Sequence, residues 1–151
     1  MVRLDEQGPG ADSLLGLIGG TPLVRISRIT AALNPKVRVL AKLERGNPAG
    51  SVKDRAAFRM IADAEAAGLL TRDKVILDSS SGNTGIAYAM IGAVKGYRVA
   101  IVIPESASAE RKKIIAGFGA ALVLSSPYDG ADGAIRLAKE MLAKDPARYY
   151  Q

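Results

Sequence analysis

The sequence predicts an α/β protein built on a parallel sheet with flanking helices. Three observations carry this. Past Lys53, short apolar runs alternate with longer helical stretches. The runs are apolar at successive positions, as strands buried on both faces are, and glycine or proline closes most elements. Strands that alternate with helices in this way imply right-handed crossovers between parallel neighbours.

Residues 1–13 are polar and contain Gly8-Pro9-Gly10. Without a basic start or an apolar centre they read as a flexible lead-in rather than a signal peptide. Residues 14–45 read as an arm, in which Pro22–Ile26 and Val37–Leu43 form two strands whose alternating polarity predicts one exposed face each. Residues 46–151 hold the α/β unit. Ser51 is the expected N-cap of a helix, with Asp54 three residues on as a variant capping box; the helix runs to about Ala67 and stops at Gly68. Lys74–Asp78 is a short apolar run that ends in a serine loop, hence a buried strand. A helix from Ile86 to Val94 closes at Gly96, and Arg98–Ile103 is the strongest strand, ended by Pro104. A helix over Ala109–Gly117, the strand Ala121–Leu124 and a helix over Ala131–Lys144 follow, and Tyr149-Tyr150-Gln151 opens a further strand.

At 151 residues the chain fits one domain with a core of useful size. It has no cysteine, which excludes disulfides, thiolate catalysis and cysteine-held metals. It has no histidine either, which removes the Ser-His-Asp triad and histidine-ligated zinc. A nucleophile or base must then be a carboxylate, a hydroxyl, a lysine or part of a cofactor, and lysine leads for covalent chemistry. The net charge of +6 raises the question of nucleic acid. The basic residues are scattered, however; their densest group, Arg111-Lys112-Lys113, falls on a helix surface, and the 5% aromatic residues do not interleave with them. No nucleic-acid partner and no membrane partner is expected, and a cytoplasmic location is the default, since no apolar stretch reaches membrane-spanning length.

Two segments carry chemistry. Asn47-Pro48-Ala49-Gly50-Ser51-Val52-Lys53-Asp54-Arg55 places a lysine at a helix start behind a Pro/Gly turn. A lysine amine attacks a carbonyl only when unprotonated, and a helix start disfavours the ammonium form. Ser80-Ser81-Gly82-Asn83-Thr84-Gly85 follows a strand and opens a helix, where free N–H groups and the Ser81 and Thr84 hydroxyls suit a carboxylate. Such features are ordinarily a surface lysine and a helix cap; together they pair an amine for a carbonyl with a cradle for an anion. In a parallel α/β sheet, ligands bind beyond the carboxyl ends of the strands, where this loop falls.

Ile18-Gly19-Gly20-Thr21-Pro22-Leu23, Gly50-Ser51-Val52-Lys53-Asp54-Arg55 and Ser81-Gly82-Asn83-Thr84-Gly85 occur in the order and spacing of the cysteine synthases. The chain resembles these fold type II pyridoxal phosphate enzymes from about Leu14 to Gln151, including Ile103-Pro104-Glu105 and Gly117-Phe118-Gly119-Ala120. The resemblance implies that the α/β unit is their small domain. It implies that Lys53 holds the cofactor covalently and later moves the substrate α-proton, and that Asn83 hydrogen-bonds the pyridine 3′ oxygen. Ser80, Ser81, Gly82, Asn83 and Thr84 match the loop that grips the α-carboxylate, with Ser80 where threonine is common. Gln151 matches a glutamine that also reaches the carboxylate. The implied reaction is β-replacement on O-acetylserine or O-phosphoserine with a sulfur donor, giving cysteine, in a homodimer. A cystathionine β-synthase-like enzyme shares the motifs, and a non-catalytic module that pairs with a complementary chain is the alternative from another class.

Members of this family have two domains and about twice this length. Their Gly/Thr-rich loop for the cofactor phosphate, and the residue facing the pyridine nitrogen, come later and have no counterpart here. The sequence therefore looks like an amino-terminal half. The arm would normally join the second, larger domain, and little turnover is expected of this stretch by itself.

Overall fold

The computed structural model describes residues 13–151. Apart from Ser13, the expected lead-in over residues 1–13 lies outside the described residues. Ser13 caps a 3-10 turn at Leu14–Leu17, its hydroxyl accepting the Leu15 N–H at 3.2 Å.

Strands β1 (Leu23–Arg25) and β2 (Leu40–Lys42) pair antiparallel, Val24 opposite Ala41, as a two-stranded ribbon. Both are shorter than the runs that predict them, and the expected buried face is missing: Leu23 is 59% and Leu40 51% exposed. Alternation buries a face only if a second layer covers it. Among the described residues no helix or further strand packs on the ribbon.

Helix α1 (Lys53–Ala66) begins after Val52, whose backbone is already helical, so Ser51 stands just outside the first helical residue, where its hydroxyl caps the helix start as expected. The two predicted partners are engaged differently. Ser51 Oγ accepts the Lys53 N–H at 3.1 Å, and Asp54 turns back to accept the Ala49 N–H at 2.6 Å. The chain then alternates: β3 (Val75–Ser79), α2 (Asn83–Lys95), β4 (Arg98–Pro104), α3 (Ala109–Gly117), β5 (Ala121–Ser125), α4 (Gly130–Lys144) and β6 (Tyr149–Tyr150). These match the predicted spans within a residue or two, except that α2 starts three residues early, at Asn83. Gly96 ends it in the left-handed conformation (φ 76°) that glycine adopts without a Cβ penalty.

The second sheet is wholly parallel, in the order β5-β4-β3-β6. Strand period decides which helix each residue meets. Ile76, Val99, Ile101 and Ile103 turn toward α1, α2 and α3; Val75, Leu77, Ala100 and Val102 turn toward α4. Both faces are covered, which is why these strands read as continuous apolar runs. Each fully buried side chain, such as Ile101, contributes roughly 1.5–3 kcal/mol through burial.

The order places a topological switch at β3. The chain moves outward from β3 to β4 and β5, then α4 returns it across the opposite face to β6 on the other side of β3. A crevice forms at the carboxyl ends of strands where the order reverses. The serine loop leaves β3 at this position.

Candidate active site

Lys53 is the first residue of α1 and Asn83 the first of α2. The two helices pack side by side and run the same way. Met60 Sδ accepts from the Tyr88 hydroxyl at 3.5 Å, and five residues further along α1 Glu65 meets Lys95 at 2.7 Å and Tyr97 at 2.9 Å. Contacts that advance together along both helices put their amino ends together. Because α2 starts at the carboxyl end of β3, Lys53 lies at the same end of the fold as the serine loop. The positive ends of two helix dipoles point there. Lys95 is the main reason that Glu65 lies below the usual carboxylate range; burial, with Glu65 beside it, raises the Tyr97 hydroxyl.

Within the loop, Ser80 Oγ accepts from the N–H groups of Gly82 (3.3 Å) and Gly85 (3.0 Å), so this hydroxyl holds the loop's own shape. Among the described residues no hydrogen-bond partner meets the side chains of Ser81, Asn83 or Thr84, or the Lys53 amine. The first N–H groups of a helix have no intrahelical acceptor. Since Ser80 takes that of Gly85, those of Asn83 and Thr84 are left for a ligand. A Cβ placed on Gly82 would meet nothing within 4 Å, so this glycine faces open space. The Arg111 guanidinium donates to the Ser81 carbonyl at 3.1 Å, and Lys112 donates to the Glu105 carbonyl. Two of the three clustered basic residues on α3 thus reach loop carbonyls from an exposed helix face.

Gln151 follows β6 and is exposed. It makes no hydrogen bond to the serine loop among the described residues. It is the one predicted site residue that lines a cavity of about 410 Å³ between α1 and the strands β3 and β6, together with Met60, Ala64, Asp78, Tyr88 and Tyr150. Asp78 belongs to none of the motifs, although a carboxylate ending the apolar run Val75-Ile76-Leu77 is a readable signal. Burial pushes its carboxyl up, opposed by a hydrogen bond from the Ser79 backbone. Tyr88 is pushed up to about 12, first by burial and then by Asp78 and Tyr150. A carboxyl raised in the folded state adds stability below its unfolded range and loses it as pH rises through the folded value. Asp78→Asn is thus expected to raise the urea midpoint near neutral pH, and the difference is expected to vanish below about pH 4. Equal midpoints at neutral pH would contradict this reading of the site.

The sequence also gave no hint of a polar cluster under the Lys53 turn. The Glu44 carboxylate, on a 3-10 turn at Glu44–Gly46, accepts from Arg55 Nε (2.9 Å) and Nη2 (3.0 Å), the Thr21 hydroxyl (3.0 Å) and Asn47 Nδ2 (2.8 Å). Arg55, then Asn47, hold it at about 2. Its contribution to stability is therefore in place at neutral pH and is lost only as pH falls from the ordinary carboxylate range through about 2. Asn47 Oδ1 accepts the Gly19 N–H at 2.9 Å, which ties in the Gly19-Gly20-Thr21 segment.

The sequence profile of the pyridoxal-phosphate dependent enzymes matches residues 14–151. The chain belongs to this family. It is 48% identical over 139 residues to the cysteine synthase of Aquifex aeolicus (strain VF5), an alignment that covers 91% of this chain and 42% of the relative. Among solved structures it is similar to cysteine synthase from Entamoeba histolytica (TM-score 0.91, 38% identity, 99% of this chain and 45% of that one). It is also similar to O-ureido-L-serine synthase (TM-score 0.83, 41% identity, 93% and 44%). The chain thus spans less than half the length of each of these proteins. The family explains the motif order, and the α/β architecture read from the sequence matches these neighbours.

The donor set suits the family's cofactor at its aldehyde and an amino-acid substrate at its carboxylate. A primary amine at a helix start can hold an aldehyde carbon, and a loop whose amides and hydroxyls have no partner among the described residues can hold a carboxylate.

Proposed function

We propose that these residues form the lysine-bearing and substrate-gripping part of a pyridoxal phosphate-dependent cysteine synthase. The observation that carries this is the parallel pairing of α1 and α2, which brings the amino ends bearing Lys53 and Asn83 together beyond β3. The overall reaction breaks the Cβ–O bond of O-acetylserine or O-phosphoserine, releases acetate or phosphate with the bonding electrons, and forms a Cβ–S bond to a sulfur donor.

The cofactor, when bound, supplies the electron sink that acidifies the amino-acid α-proton. Lys53 provides the amine that holds it and the base that takes and returns that proton. The Asn83 amide donates to the pyridine 3′ oxygen. Ser81, Thr84 and the first N–H groups of α2 hold the α-carboxylate, with Gln151 as a further contact, while Ser80 keeps the loop folded around it. Gly82 leaves room for the substrate to approach the main chain.

The same proposal takes residues 46–151 as the small domain and residues 14–45 as an arm whose exposed β1–β2 ribbon joins a further layer of sheet. It includes a homodimer and a cytoplasmic location, and neither nucleic acid nor a membrane as partner; among the described residues no helix is long and apolar enough to cross a membrane.

Complementation tests the proposal. This chain is mixed with the carboxyl-terminal part of the Aquifex aeolicus relative, pyridoxal phosphate, O-acetylserine and sulfide. Cysteine formation is expected only with both polypeptides and with Lys53 present. A mixture that associates, binds the cofactor and makes no cysteine would contradict it. Homocysteine serving in place of sulfide would move the assignment to the cystathionine β-synthase-like alternative.

A further inference from the structure

Glu44 lies nine residues before Lys53 and touches neither its amine nor the serine loop. It is nevertheless the point at which three separate stretches of chain meet. A carboxylate offers about four acceptor sites, and here all of them are used by donors 2.8 to 3.0 Å away. Arg55 supplies two in the planar fork that a guanidinium presents and a lysine cannot. Its Nη2 also donates to Thr21 Oγ1 at 3.1 Å, so Thr21 is both donor and acceptor within the cluster. Thr21 and Asn47 are 5% and 3% exposed, and so form a floor rather than a surface decoration.

The cluster defines the path of the segment that ends in Lys53. Asn47, at its start, bonds Gly19 with its carbonyl oxygen and Glu44 with its nitrogen. Arg55, just past its end, is fixed on Glu44. Between them the Ala49 N–H is held by Asp54 and the Lys53 N–H by Ser51. The backbone of Lys53 is thus held on both sides, while its side chain is exposed and without a partner among the described residues. A fully satisfied polar network rigidifies what it holds, and removing one member leaves the others unpaired.

We propose that Glu44, through its fork with Arg55, is a positioning residue that aims the Lys53 amine at the crevice. This rests on the cofactor reading above; Glu44 lies outside the lysine and loop motifs, and Arg55 is the last residue of the lysine motif. The second residue of the pair makes it independently testable: Arg55→Lys keeps the charge and loses the fork, while Glu44→Gln keeps the size and loses the charge.

Two readouts on the 151-residue protein separate this role from simple packing. The first is backbone hydrogen exchange. Both variants are expected to speed exchange at the Gly19 and Asp54–Arg55 amides by about tenfold, while core amides such as those of Met90 and Ile101 keep their protection. The second is peptide mapping after brief treatment with limiting pyridoxal phosphate and borohydride. Lys53 is expected to carry more label in the wild type than the exposed Lys113 and Lys139, and to fall to their level in both variants. Faster exchange with wild-type preference for Lys53 would overturn the positioning role and leave the cofactor reading standing. Unchanged exchange at Asp54–Arg55 would overturn it also. A wild type with no preference for Lys53 would instead count against the cofactor reading, with exchange alone then deciding the structural half.

Discussion

Lys53→Ala, in the complemented enzyme, is expected to lower cysteine formation by about a thousandfold or more, because it removes both the covalent anchor and the proton-transfer base. The structural cost is expected to be small. Lys53 is the first residue of α1, is exposed, and makes no side-chain hydrogen bond or ion pair among the described residues. Surface substitutions of this kind stay within about 0.5 kcal/mol, and alanine is the better helix former. Lys53→Arg sharpens the comparison. It preserves a cation at the helix start but cannot join a carbonyl under these conditions, so it is expected to be as inactive as alanine. If Lys53→Arg kept substantial turnover, the lysine would act only through its charge. Denaturation midpoints measured beside the rates separate lost chemistry from lost fold.

The second large effect is expected at Gly85, for the opposite reason. A Cβ there would stand 2.5 Å from the Ser80 carbonyl oxygen and 3.2 Å from Ile101 Cγ2. The first neighbour is backbone and the second belongs to a fully buried strand residue, so neither can swing aside. Gly85→Ala is expected to cost about 1–3 kcal/mol through overpacking, despite the better helix propensity of alanine. It would also push Ser80 from the amides of Gly82 and Gly85 that shape the loop. Gly82→Ala is the matched control. A Cβ there meets nothing within 4 Å, and the backbone (φ −115°) is open to any residue. It should leave the urea midpoint unchanged while raising KM for the amino-acid substrate several-fold, since the space it fills is the space proposed for that substrate. A stable Gly85→Ala protein, or unchanged KM in Gly82→Ala, would contradict this division of roles.

The fold was legible where physical constraints repeat. The strands β3, β4 and β5 lie between two helical layers, so their apolar runs are unbroken and their ends are marked by Asp78, Pro104 and Gly119-Ala120. The start of α2 lies three residues before the predicted one because Gly82, Asn83 and Gly85 resemble a loop. The helix tolerates Gly85 because β4 presses on it. The β1–β2 ribbon misled in another way. Its alternation is real, but burial depends on a covering layer that strand periodicity alone does not specify. Lys53 and Asn83 stand out through the motifs shared with the cysteine synthases, since a lysine at a helix start and a polar loop are ordinary by themselves. The Glu44 cluster could not be read, because Thr21, Glu44, Asn47 and Arg55 come together through chain crossings of up to 34 residues and follow no period. Asp78 lay between these cases, since its type stood out against its neighbours but its environment did not.

The most direct test of the central claim is to fix pyridoxal phosphate to the purified chain with borohydride and locate the label by peptide mapping. A single dominant label at Lys53, lost in Lys53→Ala without transfer to another lysine, is the predicted result. Label spread evenly over the exposed lysines, with Lys53 no more reactive than Lys113 or Lys139, would contradict the account.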